Sequence, residues 1–361
     1  MKRKDKGRSY TEDEERGCDD ESAPKADLTS GLRKKACHHG SNLGNLVSER
    51  VRKFEDLSKN ATSSQKPHTE HHTGINATFD IKPGQFQLAE NPSVLKTIRS
   101  PYEKLRNCKF AGRETIWISD NDKNVCQINF EEEVLDGSTL QVENEVNALG
   151  LNLQQQLIFS LSKFCPHVFK FDGKKLSKIK NLYPWNPKGL CYTKNGDLLV
   201  SMSSEEDGAR VVRYVETSEN NFKEIRVIQN DQYGQPLFSK GIDLLLLTEN
   251  GNEDICVADR AGEKVLVFHG TGDLRFIYRG NVTIDKSEKR SFRPNQIATD
   301  VNSQILIKVF SKYVHVIDQY SSFICYIKCD CSGGLSIDAD HNLLAGDYFT
   351  GEIKVIKYLE K

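Results

Sequence analysis

A chain of 361 residues with 50 Lys and Arg against 51 Asp and Glu has a formal charge of −1, so no global field steers it toward nucleic acid or a membrane surface. Apolar residues make up 37% and the mean hydropathy is −0.56, which points to a disordered segment diluting an ordinary core. The longest apolar run, around Gly241–Thr248, is too short to cross a bilayer as a helix, so no membrane partner is expected.

At the N-terminus, MKRKDKGRSY is basic and no apolar segment follows it. This predicts no secretory leader, a reducing compartment and thiols for the ten cysteines. The Asn-X-Thr matches at Asn60, Asn76 and Asn281 are then chance. The cytoplasm is the expected location, with the basic runs Lys2–Lys6 and Arg33–Lys35 making the nucleus the alternative. Residues 1–84 are rich in Lys, Glu, Asp, Ser and His, with almost no aromatics, and are expected to be mostly disordered. Within them Leu43, Val47, Val51, Phe54 and Leu57 recur at helical spacing and predict a short amphipathic helix over 43–57.

From residue 85 the texture becomes a repeat of short β-rich runs separated by Gly-, Asn- or Asp-containing turns. The first copy reads LRNCKFAG, TIWISD, NVCQINF and STLQVE from Leu105. The others open at Val146, Pro187, Lys240, Arg293 and Ser332, so starts lie about 40–55 residues apart, the period of four-stranded propeller blades. These runs are too short and too β-branched for a helical solenoid. The sixth copy ends one strand short, and the spare run SVLKTI, Ser93–Ile98, precedes the first. A propeller closes by pairing such a segment into its last blade, which removes exposed edges. The expected fold is therefore all-β: one six-bladed propeller over 85–361, closed by strand 93–98, behind a disordered tail.

The runs PKGLCYTKNGDLLVSM, DICVADRAGEKVLVF, SFRPNQIATD and NLLAGDYFTGEIKVIKY resemble the NHL-type six-bladed propellers of the tripartite-motif family, of the kind abundant in invertebrates such as molluscs. The resemblance covers about Pro92–Lys361 and rests on a pattern, not on catalytic residues. It implies a propeller that selects a protein target, and relatives bearing a RING finger are ubiquitin ligases. A RING or B-box needs eight closely spaced Cys and His ligands for two zinc ions. Upstream of the repeats stand Cys18, Cys37, His38, His39, His68, His71 and His72, with no C-x-x-C pair. Intrinsic ligase activity is accordingly not expected, and neither a metal nor a cofactor is assigned.

Other chemistry finds no carrier in the sequence. There is no G-x-S-x-G elbow and no phosphate-cradling glycine loop, so no catalytic residue is named. A lactonase- or esterase-like calcium site in the channel would need converging acids, whereas the inner runs offer Asn107, Asn147, Asp243 and Asn295. That reading ranks last, and no small-molecule substrate is inferred. Cys108, Cys126, Cys191, Cys256 and Cys325 fall in predicted strands as small hydrophobes, and Cys329-Asp330-Cys331 has the wrong spacing for a zinc knuckle. What remains is the rim formed by turns between second and third strands and by turns entering each first strand. Basic residues recur there: Arg106, Lys123, Lys163, Lys188, Arg210, Lys240, Arg260, Lys264, Arg293 and Lys312, with Tyr313, Tyr348 and Phe164 as aromatics. Interspersed acids cancel much of that charge, so a protein partner is the first expectation and RNA, read by phosphate contacts and base stacking, is the alternative.

Overall fold

The computed structural model describes residues 86–162, 164–240, 243–281, 291–309 and 312–361. The tail with the helix expected over 43–57, the upstream Cys and His residues and Lys163 lie outside the described residues. Among those described there are strands and no helix.

Strand β1 (Gln87–Arg99) comes first in the chain and is used last. Blade one is β2 (Leu105–Phe110), β3 (Thr115–Asp120), β4 (Asn124–Asn129) and the two-residue β5 (Leu140–Gln141). Blade two is β6 (Val146–Leu151), β7 (Leu157–Leu161), β8 (His167–Phe171) and β9 (Leu176–Asn181). Blade three is β10 (Asn186–Tyr192), β11 (Leu198–Ser204), β12 (Gly208–Ser218) and β13 (Asn221–Ile228). Blade four is β14 (Leu245–Glu249), β15 (Ile255–Asp259), β16 (Lys264–Phe268) and β17 (Leu274–Tyr278). Blade five is β18 (Pro294–Thr299), β19 (Ile305–Val309), β20 (Tyr313–Ile317) and β21 (Phe323–Lys328). Blade six holds β22 (Leu335–Ile337), β23 (Leu343–Gly346) and β24 (Glu352–Glu360), and β1 pairs antiparallel with β24 as its fourth strand. The spare run Ser93–Ile98 lies inside β1, with Ile98 opposite Ile353. The fold is a ring of six four-stranded antiparallel blades.

Burial follows position in the blade. Second strands are covered on both faces by neighbouring blades, so β7 (LIFSL), β15 (ICVAD) and β19 (ILIKV) are buried end to end and read as continuous apolar runs. Outer strands such as β9 and β13 mix exposed with buried residues. The first strands pack around the axis, each against the next, and β2 meets β22 to close the circle.

The inner strands share a device near one end. The register of β2 against β3 slips between Leu105 and Asn107, of β6 against β7 between Val146 and Ala148, of β10 against β11 between Pro187 and Gly189, and of β18 against β19 between Pro294 and Gln296. Such bulges re-aim side chains. Asn107 thereby donates from Nδ2 to the Val146 carbonyl of blade two at 3.1 Å, and Asn147 to the Pro187 carbonyl of blade three at 3.1 Å. These amides stitch one blade to the next. Where blades come closest only glycine fits: a Cβ on Gly334 would stand 2.2 Å from the Cys108 nitrogen.

Blade four departs from the expected start at Lys240: its inner strand begins at Leu245. The residues before it form a small hairpin of their own, with Leu237 N–H donating to the Gln229 carbonyl and a bridge between Asn230 and Pro236.

Candidate partner-binding rim and central channel

Antiparallel order places the turns between second and third strands, and those entering the first strands, on one face. Those of the anticipated cations that lie among the described residues stand at these turns or on the strand ends beside them, and most of their charge is spent within the protein. Arg106 Nη1 bonds Glu145 Oε2 at 2.7 Å and Asn121 Oδ1 at 3.1 Å. Arg260 and Arg293 converge on Asp243, at 3.4 and 3.1 Å. Burial pulls the Lys188 ammonium below its usual range, and the Asp243 carboxylate pushes it back up. Lys264 donates to the Leu237 carbonyl at 2.8 Å and stands 3.7 Å from Asp259, and Lys312 is 3.9 Å from Asp330. The Arg210 guanidinium carbon stands over the Trp185 ring, 4.0 Å from its centroid. Lys123 and Lys240 form no side-chain hydrogen bond or ion pair with described residues.

The acids between these cations are turn formers. Asp120 Oδ1 accepts the N–H groups of Asp122 and Asn124, Asp259 Oδ1 that of Gly262, and Asp347 Oδ1 that of Phe349. Each closes the turn after its blade's second strand, the usual role of a short acid whose oxygen reaches its own backbone.

Beside its charged groups the rim presents aromatic rings to solvent. Tyr183 is 81% exposed, Tyr233 and Phe349 78%, and Phe164 62%, each on a different loop of this face. Three share one construction. The Oδ1 atoms of Asn181, Asp231 and Asp347 accept the backbone N–H two residues on, which belongs to Tyr183, Tyr233 and Phe349. The turn is thus pinned beneath the ring that it displays. Of the aromatics named from the sequence, Phe164 is exposed, while Tyr313 packs edge-on against Tyr326 and Tyr348 against Phe349, both half-buried. Tyr183, Tyr233 and Phe349 were missed. The signal was the tripeptide Asx-x-aromatic in NLY, DQY and DYF, which composition alone does not separate from core aromatics.

A cavity lies on the axis toward the opposite end, where first and second strands join. Its volume of about 470 Å³ is bounded by the inner strands of all six blades, including Lys109, Phe110, Leu151, Tyr192, Glu249, Gln296, Thr299 and Ser336. Neighbouring blades are tied across it: Ser336 Oγ accepts Phe110 N–H at 3.0 Å, and Thr299 Oγ1 donates to the Glu249 carbonyl at 2.9 Å. Asn107 and Asn147, considered above as inner-strand polar groups, each commit Nδ2 to the blade stitching. Among the described residues no three His, Cys, Asp or Glu side chains gather as a metal site would require.

No family model and no curated protein matches the sequence. Among solved structures, the chain is similar to a gluconolactonase of Xanthomonas campestris, with TM-score 0.54 and 13% identity over 78% of this chain and 99% of that one. It is also similar to virginiamycin B lyase from Staphylococcus aureus, with TM-score 0.51 and 10% identity over 76% and 88%. A luciferin-regenerating enzyme gives 0.52 and 9% over 74% and 95%. At such identities the likeness is one of fold.

Proposed function

We propose that this propeller is a non-catalytic scaffold that recruits a protein partner through the rim carrying Tyr183, Tyr233, Phe349 and Phe164. The observation that carries the reading is the display of exposed rings on turns pinned by Asn181, Asp231 and Asp347. Large aromatic anchors with few rotatable bonds are what protein interfaces concentrate at their centres, and a pinned turn loses little freedom on binding. The internal pairing of Arg106, Arg260, Arg293, Lys264 and Lys312 weakens the RNA alternative, because paired cations release fewer counterions to a phosphate chain. By the resemblance to tripartite-motif NHL propellers, the partner belongs to ubiquitin transfer, with this chain selecting the target and another protein supplying the ligase.

The test is partner capture from cytosolic extract by the full chain and by a Tyr183→Ala/Tyr233→Ala/Phe349→Ala variant, followed by direct affinity measurement on the captured protein. Loss of at least about tenfold in affinity in a variant with unchanged melting is expected, since one such anchor contributes roughly 2 kcal/mol. Equal capture by both proteins would move the interface elsewhere. The purified chain is expected not to ubiquitylate itself when mixed with activating and conjugating enzymes, and a self-modification ladder would refute the non-catalytic assignment.

A further inference from the structure

The rim leaves the channel unexplained. Its cavity of about 470 Å³ lies within the ~300–1,000 Å³ of small-molecule sites. Each wall strand is the end strand of its sheet, so one of its edges has no ladder partner and borders the cavity. Turn bonds fix which peptides point there. In β6 the Asn152 N–H donates to the Gln156 carbonyl, so Asn152 and Gly150 direct their backbone groups at β7. Leu151, between them, therefore directs its N–H and C=O at the axis. The equivalent bonds from Ala111, Thr193, Asn250, Asp300 and Asp338 do the same for Phe110, Tyr192, Glu249, Thr299 and Ile337. One peptide unit from each blade thus girdles the cavity, and all of these residues line it. Two side chains bear out the direction: Ser336 Oγ accepts the Phe110 N–H, and Thr299 Oγ1 donates to the Glu249 carbonyl. The N–H groups of Leu151, Tyr192 and Ile337 meet no acceptor among the described residues.

The charged side chains of the wall are Lys109, Lys194 and Glu249. Lys194 Nζ stands 3.2 Å from Glu253 and donates to the Gly251 carbonyl at 3.1 Å. Glu249 Oε2 accepts the Lys194 N–H at 2.7 Å, and burial raises its carboxyl while Arg213 and Lys194 draw it back down. Lys109, beside Phe110 on β2 and half-buried, has no ion-pair or hydrogen-bond partner among the described residues. The charge left for a ligand is a single positive one.

We propose that this cavity binds a small hydroxylated monocarboxylate, in chemical class a sugar acid, with its carboxylate on Lys109 and its hydroxyls on the girdle of peptide groups. One cation matches one carboxylate, whereas a phosphate dianion would bring a charge that the wall does not answer. Each hydroxyl both donates and accepts, as each axial peptide does. An aliphatic acid would cover those N–H and C=O groups without replacing their hydrogen bonds to water. A neutral sugar would leave Lys109 unused, and the ammonium of an amino acid would find no free carboxylate.

Gluconate, glucuronate, galacturonate and threonate are titrated into the full chain by calorimetry and thermal shift, beside glucose, glucose phosphate and hexanoate. At least one sugar acid is expected to bind and to raise the melting temperature. Glucose lacks the carboxylate, glucose phosphate carries the wrong charge and hexanoate lacks the hydroxyls, so each is expected to bind at least about tenfold more weakly. Lys109→Met is expected to cost the acid a similar factor, and Lys109→Gln, which keeps a polar head, holds the readout open if the methionine variant folds poorly. The Tyr183→Ala/Tyr233→Ala/Phe349→Ala variant should bind the acid as the wild type does, which separates this site from the rim. No binding by any of the acids, a control that binds as tightly as the best acid, or undiminished binding by Lys109→Gln would each overturn the assignment.

Discussion

His315 and Asp300 are buried in neighbouring parts of blade five, and their proton affinities are displaced in opposite ways. His315 is 1% exposed, bonded through Nδ1 to Tyr278 Oη at 3.1 Å and ringed by Phe292, Phe323 and Tyr326. Burial, with Lys308 adding to it, pulls its pKa from 6.5 to about 4. Asp300 caps a turn and accepts Tyr358 Oη at 3.0 Å from blade six, and burial pushes its carboxyl from 3.8 up to about 6. Between pH 4 and 6.5 the unfolded chain holds the extra proton at His315, so that group costs stability as pH falls. Between pH 3.8 and 6 the folded chain holds the extra proton at Asp300, so that group costs stability as pH rises. Each amounts to about 3 kcal/mol across its window, so in the wild type they largely cancel between pH 4 and 6. Denaturant unfolding at several pH values should therefore give Asp300→Asn a steeper loss toward acid than the wild type. His315→Phe should lose stability toward neutral pH instead. Parallel pH profiles for all three proteins would show that neither group is displaced as described.

Among elements, β1 has the most at stake, because it converts an open array into a ring. It runs along β24 from Gln87 opposite Glu360 to Arg99 opposite Glu352, and Ile98 is fully buried in the cluster that joins blade six to blade one. Without it β24 would present an unpaired edge, the template on which chains add to one another. A chain beginning at Ser100 is expected to melt at least several degrees lower and to form concentration-dependent oligomers, read by light scattering. A monomeric truncation with unchanged melting would deny β1 this closing role. The blades were legible in the sequence because second strands such as ILIKV are buried on both faces and are punctuated by turn residues at nearly constant spacing. The spare run at Ser93 was legible by counting, since only the last copy lacked a partner strand. The channel cavity was not: its wall takes one inner strand from each of the six copies, and nothing in any single copy marks it. The hairpin at Gln229–Leu237 was missed for a related reason. It interrupts the repeat, so the periodicity that found the blades reads it as a long connection.

At the scale of the molecule, a net charge of −1 and a ring whose rim cations are mostly paired make a surface with little long-range field. That has a quantitative consequence for nucleic acid. For single strands, log affinity falls with log salt by about 0.7 for each phosphate neutralised, so a face with six to ten contacts loses roughly three orders of magnitude between 50 and 200 mM salt. If Lys123 and Lys240 alone were available, two contacts would give a slope near −1.4 and a loss below about tenfold over the same range. Cations elsewhere in the chain add to any measured value, so the informative quantity is the difference between wild type and an Arg260→Ala/Lys264→Ala/Lys312→Ala variant. That difference is expected to be less than about half a unit of slope with an unstructured RNA pool, because these side chains are already committed to Asp243, the Leu237 carbonyl and Asp330. A drop of two units or more would mean that the ion pairs open to admit phosphates. The rim would then be an RNA-reading surface whose resting state is self-neutralised, with Phe164 and Phe349 placed to stack on bases.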